Sequence, residues 1–410
     1  MFHRVRVRLD EPTLADVGGR TDEALRGSGV VLPAGAEVAI AVGSRGITDL
    51  ATVVGRVGAW VRAAGAHPFL VPAMGSHGGG TAEGQRDVLE SYGLGALGCP
   101  IRSSMDVVTL PTGASPLPVH TDANAARAAA TILVNRVKPH TDFHGPFESG
   151  LMKMAAIGLG KQVQAELVHA HGTRGLRELA PQIARQVLAA GNVVLGVAIV
   201  ENALDQTMAV DAMPVGDIER REPALLALAR AHMPRLPVDE LDVLLIDRMG
   251  KDISGVGMDT NVIGRIMIAG EADPATPNIA MIACHALTPA SHGNATGVGL
   301  ADVVTAALAK AIDQEITRTN IVTSGFLLRG KLPVVADDDR HAWLLCLRGA
   351  GVIDPAAVRA VRIVDTLHCS DLWVSDAVLP DLIALDGASL VAGDLALHDD
   401  QGRLMPFDAT

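Results

Sequence analysis

Chemistry-bearing side chains concentrate in one stretch, Asn135 to His171, which reads NRVKPHTDFHGPFESGLMKMAAIGLGKQVQAELVHAH. It carries His140, His144, His169 and His171 beside Lys153, Lys161, Asp142 and Glu148, in a chain that is otherwise mostly aliphatic. A neutral imidazole moves a proton near neutral pH or ligates a borderline metal. Lys153 follows the apolar pair Leu151-Met152, where desolvation would lower its pKa and make the amine nucleophilic. An ordinary surface lysine is the alternative for Lys153 and the reading adopted for Lys161. Any single histidine here is as consistent with a loop or cap residue; four of them beside one lysine argue for a site. His169 and His171 are two apart and cannot share a helix face, so at most one points inward. HExxH spacing is absent, which argues against a helix-borne zinc site.

The elements that would position these residues follow from the apolar pattern. EVAIAV, from Glu37, reads as a buried strand ending at Gly43-Ser44-Arg45-Gly46, and Thr48 is read as the cap of the helical run behind it. HPFLVP is a second strand, running into the glycine-rich GSHGGGT of Gly75–Thr81 and then a helix. A third apolar run, TILVN, delivers the central stretch. This βαβα order is the mark of a doubly wound sheet, whose ligands sit beyond the carboxyl ends of the strands. Arg45, His77 and His140 fall at three successive strand ends.

Arg45 has the planar fork that clamps a carboxylate. The turn with Gly75, Ser76, His77 and Thr81 presents backbone amides to an anion at a helix N-terminus, although it is neither GxGxxG nor GKS/T and is equally a tight turn in which His77 caps the helix. Beyond the proline-bearing MPRLPVDE a second α/β unit begins with LDVLLIDRMG and includes a long helical run, ADVVTAALAKAIDQEI. Its glycine-punctuated loops offer Asp259, Asn261, Ser291, His292 and Asn294 as cleft-facing polar groups or as Asx turns.

Composition sets the class. With 410 residues, 49% apolar and 20% charged, the chain has material for two cores and none of the signature of disorder. A net charge of −12 and the lack of clustered Lys and Arg exclude a nucleic-acid footprint. Cys99, Cys284, Cys346 and Cys369 are widely separated, so neither a thiolate zinc site nor a disulfide framework is indicated. No apolar stretch approaches the roughly 18 residues of a membrane span and the start has no signal-like apolar region, so the reading is a cytoplasmic protein with no membrane partner.

At this point the chain resembles the nickel-dependent lactate racemase family. The motifs that carry the resemblance are GSRG after the first strand, the Gly-x-His turn GSHGGGT, the Pro-His of NRVKPH, the run FHGPFESGLMK and the histidine of LVHAH, in that order. The resemblance implies a nickel–pincer nucleotide tethered covalently to Lys153, with His169 as the nickel ligand and Gly75, Ser76 and Thr81 near the cofactor. It implies that His77 and His140 are the two acid/base residues and that Arg45 holds the substrate carboxylate. It also implies cofactor-maturation enzymes as partners. Two departures bear on substrate. The family's usual aspartate ahead of the arginine is replaced by the Val42-Gly43-Ser44 stretch, and the family's glutamine and lysine in the second domain give way to Gly264, Arg265 and Met267. Arg265, with Asp259 and Asn261, is therefore a second set of candidate substrate contacts.

The resulting expectation is an α/β protein of two domains with mainly parallel, Rossmann-like sheets and an interdomain active-site cleft. Residues 1–238 form the catalytic and cofactor domain, 239–389 the closing domain, and 390–410 a tail that packs back on the first. The activity expected is racemisation or epimerisation of a 2-hydroxy carboxylic acid. The alternatives are a metal-assisted lyase or dehydratase of a hydroxy or sugar acid, with His144 or Glu148 as base, and a non-catalytic binder of a sugar acid or nucleotide. Oligomeric state is not legible in the chain.

Overall fold

The computed structural model describes residues 1–9, 11–44, 46–190 and 192–409. The chain divides into two compact units, one of residues 11–233 and one joining residues 1–10 to 234–410. Both are α/β, and no described helix is long and apolar enough to cross a membrane.

The first strand, β1 (Phe2–Val7), belongs to the later unit: it lies antiparallel between two C-terminal strands introduced below. Within residues 11–233 the main sheet uses β2 (Glu37–Val42) and β3 (His67–Pro72). A short antiparallel pair, β4 (Val107–Thr109) and β5 (His120–Asp122), stands apart from it. The sheet continues with β6 (Ala130–Arg136), β7 (Val193–Glu201) and β8 (Thr207–Pro214) in the order β3-β2-β6-β7-β8. All neighbours are parallel except β7 and β8. Val38 through Val42 are fully buried, as a central parallel strand covered on both faces requires.

Helices α1 (Val17–Gly27) and α2 (Leu50–Ala63) bury Leu25, Val53, Val54, Val57 and Val61 in the same core as Ile40 and Ile132. Thr48 does not cap α2. Asp49 takes the N-cap position and accepts from Thr207 Oγ1 at 2.6 Å, while the Thr48 amide donates to Glu201 at 2.7 Å. Helix α3 (Ala82–Ser91) starts after the glycine turn, α4 (Lys161–His169) ends the central stretch, and α5 (Ala180–Ala189) and α6 (Ile218–Ala231) complete the unit.

The other unit holds an eight-stranded sheet. Its strands β9 (Glu240–Met249), β10 (Asn278–Leu287), β11 (Val303–Thr305), β12 (Val334–Ala336) and β13 (Ala360–Ile363) are parallel. Strand β14 (Asp371–Ser375), β1 and β15 (Ala388–Leu395) extend it antiparallel, giving β12-β11-β10-β9-β13-β14-β1-β15. The long helix read over ADVVTAALAKAIDQEI is instead β11 followed by two helices, Ala306–Ala311 and Gln314–Ser324. Val303 and Val304 are β-branched and buried between β10 and β12, and that packing overrides helical periodicity.

The C-terminal tail also departs from expectation. It stays with residues 234–410, where β15 pairs with β1 and Trp373 Nε1 donates to the Phe407 carbonyl at 2.8 Å. Phe2, Val5 and Val7 of β1 are buried in that sheet, and the two units divide at 233/234.

Candidate functional site

Three strand ends and one helical segment enclose a pocket within residues 11–233. After β2 come Gly43 and Ser44; after β3, Ala73 to His77; from the end of β6, Asn135, Arg136 and Lys138; and from the helical segment 149–169, Lys153, Met154, Ile157, Gly158, Ala165 and His169. The space is about 740 Å³ counting its open mouth, within the range of small-molecule sites. Among the described residues its lining includes Lys138, Lys153 and Arg136, the last paired with the buried Glu201, and no Asp or Glu, in a chain of net charge −12. An anionic ligand is the electrostatic match.

The turn carrying His77 is shaped by glycine. Gly78 sits at φ +64°, and a Cβ there would lie 2.7 Å from the Gln85 backbone nitrogen, so the chain can fold back onto α3 only without a side chain. Thr81 is the N-cap of α3, accepting from the Gly84 amide at 3.0 Å; it does not line the pocket. His77 is not the cap. Its Nδ1 lies against Ser44 Oγ, and the Ser44 carbonyl accepts from Tyr92 Oη at 2.5 Å. Gly75 and Ser76 line the pocket, and the Gly75 amide donates to the Gly158 carbonyl at 3.2 Å, tying the turn to the helix that bears Lys153.

Lys153 ends a single helical turn, Leu151–Lys153, that runs into a π-helical turn at Met154–Gly158 and then α4. Such π-turns occur often at functional sites because they re-aim the side chains around them. The turn starts on a buried carboxylate: Glu222 of α6 accepts from the Met152 amide at 3.0 Å. Gly150 is required there, since a Cβ would lie 2.3 Å from Glu222 Oε1. Burial pushes the Glu222 carboxyl up to about 7, against the lowering effect of the Met152 and Leu151 amides.

His140 is adjacent to the lysine, with Nε2 against Lys153 Nζ, and its Nδ1 accepts from the Asp142 amide at 3.1 Å. The His140 amide donates to Glu148 at 2.6 Å; the same carboxylate accepts from Gly145 at 3.1 Å and Arg230 at 2.6 Å. Glu148, the base of the lyase alternative, is thus fully buried and engaged in holding the loop. His144 faces it at 3.4 Å.

His169 lines the pocket, while His171 is exposed and does not. His169 Nδ1 is enclosed and has no hydrogen-bond partner. Burial and the nearby Lys153 charge hold its pKa below the usual imidazole range, Asp142 opposing. A neutral, unpartnered imidazole nitrogen is what a metal ligand needs before the metal arrives. Among the described residues no three His, Cys, Asp or Glu side chains are placed to hold a metal ion together.

Other sequence candidates fall elsewhere. Arg45 lies outside the described residues. Arg265, Asp259 and Asn261 belong to the 234–410 unit and serve its structure. Arg265, read from the sequence as a second anion contact, donates to Asp302 at 2.7 Å and to the carbonyls of Leu300, Ile279 and Ala280. Asp259 caps the short helix Thr260–Ile263, accepting from the amide and side chain of Asn261 at 2.9 Å, the Asx alternative.

Sequence reading missed Ser44, Glu222 and the true setting of Lys161. That lysine is fully buried and pairs with Asp122 at 3.0 Å, although it was read as a surface residue. The signal was its position in an apolar run, MAAIGLGK, where a lysine has no obvious route to water.

No family model matches the chain, and no curated protein matches it. Among solved structures it is similar to the lactate racemase apoprotein from Thermoanaerobacterium thermosaccharolyticum, with a TM-score of 0.52 and 10% identity over 90% of this chain and 99% of that one. At that identity the likeness establishes a shared α/β fold.

Proposed function

We propose that this protein is a racemase or epimerase of a 2-hydroxy carboxylate that works with a nickel–pincer nucleotide tethered at Lys153 and ligated through His169. The observation that carries the reading is one pocket, without carboxylates among its described lining residues, that gathers Lys153, His77 and His169, whose Nδ1 is enclosed and unpartnered, with His140 against the lysine. The residues fit the group: an amine for the tether, a neutral imidazole for the metal, and a cationic lining for the nucleotide and substrate anions.

The proton on a hydroxyl-bearing carbon is too weakly acidic for direct removal by a histidine. The bound group supplies a reversible hydride acceptor, so that the carbon can become planar and be re-formed with either hand. His77 and His140 take up and return the hydroxyl proton, with Ser44 Oγ against Nδ1 of the first ring and the Asp142 amide donating to Nδ1 of the second. Lys138 adds positive charge near the substrate carboxylate, whereas Arg136 is paired with the buried Glu201. The partners on this reading are the hydroxy-acid substrate and the enzymes that build and load the cofactor.

The test is intact-protein mass spectrometry with nickel analysis on protein co-produced with the cofactor-maturation enzymes, followed by screening 2-hydroxy acids for loss of optical rotation. A covalent adduct lost in Lys153→Ala, with nickel near one per chain, supports the reading. Matured protein with neither adduct nor nickel sinks it.

A further inference from the structure

Lys161 stands midway in sequence between Lys153 and His169, and the proposed chemistry makes no use of it. It adopts φ +56°, a left-handed conformation that side chains other than glycine rarely take, and its ammonium is fully enclosed. Its Nζ donates to Gln85 Oε1 at 3.2 Å and to the carbonyl of Pro72, and it forms an ion pair with Asp122 Oδ2 at 3.0 Å. Desolvation lowers the Lys161 pKa and Asp122 opposes the shift. The groups around the ammonium are themselves tied to the backbone. Asp122 Oδ1 takes the amides of Asn124 and Ala125, each at 2.8 Å. Both N–H groups of Gln85 are used, one on the Gly75 carbonyl at 2.8 Å and one on the His77 carbonyl at 3.2 Å.

A buried ion pair is a poor source of stability compared with apolar packing, so its presence calls for another reason. The geometry gives one. Lys161 belongs to the helical segment that carries Lys153 and His169, whereas Gln85 grips the backbone of the turn on both sides of Ser76. We infer that Lys161, Asp122 and Gln85 form a positioning hub that fixes His77 relative to Lys153 and His169. The inference rests on the acid/base role proposed above for His77. None of the three residues touches the reacting atoms on this account; they act through the turn.

Gln85 is the residue to alter, because removing Lys161 would strand the Asp122 carboxylate and endanger folding. Gln85→Glu retains an acceptor for Lys161 but loses both donors to the turn, and Gln85→Met loses the donors without adding charge. In the full-length protein, amide hydrogen exchange should quicken at least tenfold across residues 75–81 and stay within twofold across α4. In loaded enzyme kcat should fall at least tenfold with KM within twofold. Unchanged exchange at residues 75–81 in both variants, or faster exchange there with kcat intact, overturns the hub. Should loaded wild type turn over no 2-hydroxy acid, the racemase reading fails by itself, and the exchange comparison still decides whether the hub holds the turn.

Discussion

Glu222 makes the fold of the site-bearing unit sensitive to pH in a predictable direction. Its carboxyl is fully buried beneath the amides of Leu151 and Met152, and burial raises it from the ordinary 4.5 to about 7. In the unfolded chain the group loses its proton near 4.5; in the folded chain it keeps the proton until about 7. Between those values the folded state therefore binds more protons than the unfolded one, and stability declines as pH rises through the window, with no further change from this group on either side. At about 1.4 kcal/mol per pH unit the decline amounts to about 3 kcal/mol. Glu222→Gln cannot ionise, yet its amide oxygen can still accept from Met152. Its Nε2 replaces an Oε1 that has no partner and is pressed against Gly150, a fixed cost that does not vary with pH. Urea unfolding of wild type and variant at pH 4.5, 5.5, 6.5 and 7.5 isolates the titrating part: the stability of the variant relative to wild type should rise by about 3 kcal/mol across the series. A difference that stays flat with pH would falsify the idea that this carboxyl is held protonated.

Two further outcomes follow from the partners already described. Glu148→Ala leaves the buried amide of His140 and the half-buried amide of Gly145 without an acceptor and should cost about 2–4 kcal/mol in chemical unfolding. Arg230→Ala, at a side chain 49% exposed, should cost less than about 1 kcal/mol; equal losses would mean that the ion pair, and not the amide contacts, holds the loop. Arg265→Lys retains the charge but loses the planar fork, so it should destabilise by about 1–3 kcal/mol while KM for a hydroxy acid stays within twofold, and a tenfold rise in KM at unchanged stability would restore Arg265 as a substrate contact.

The parallel strands were readable because central strands are apolar throughout: EVAIAV, HPFLVP and TILVN each end where a pocket residue begins. His77, Lys153 and His169 could be singled out by type, since a histidine or lysine amid small aliphatic residues stands out locally. What holds them could not. Ser44 meets His77 across 33 positions, Glu222 reaches Met152 across 70, and Lys161 meets Pro72 across 89. Such pairings depend on the sheet order β3-β2-β6, which no local pattern encodes. Arg265 and Asp259 misled for a related reason. A charged residue in a glycine-rich loop looks the same in sequence whether its partner is a ligand or the protein's own carbonyls.

The place of β1 has a bearing on how the molecule is made. Its two hydrogen-bonding neighbours begin at Asp371 and Ala388, so the first strand emerges from the ribosome long before either exists. Residues 11–233 can meanwhile condense as a unit during synthesis, since domains generally fold in the order they appear. The other sheet must wait for β14 and β15. Topologically, the pocket-bearing unit is thus an insertion between the first strand of a host sheet and the remainder of that sheet, and the host can close only after β15 has been made.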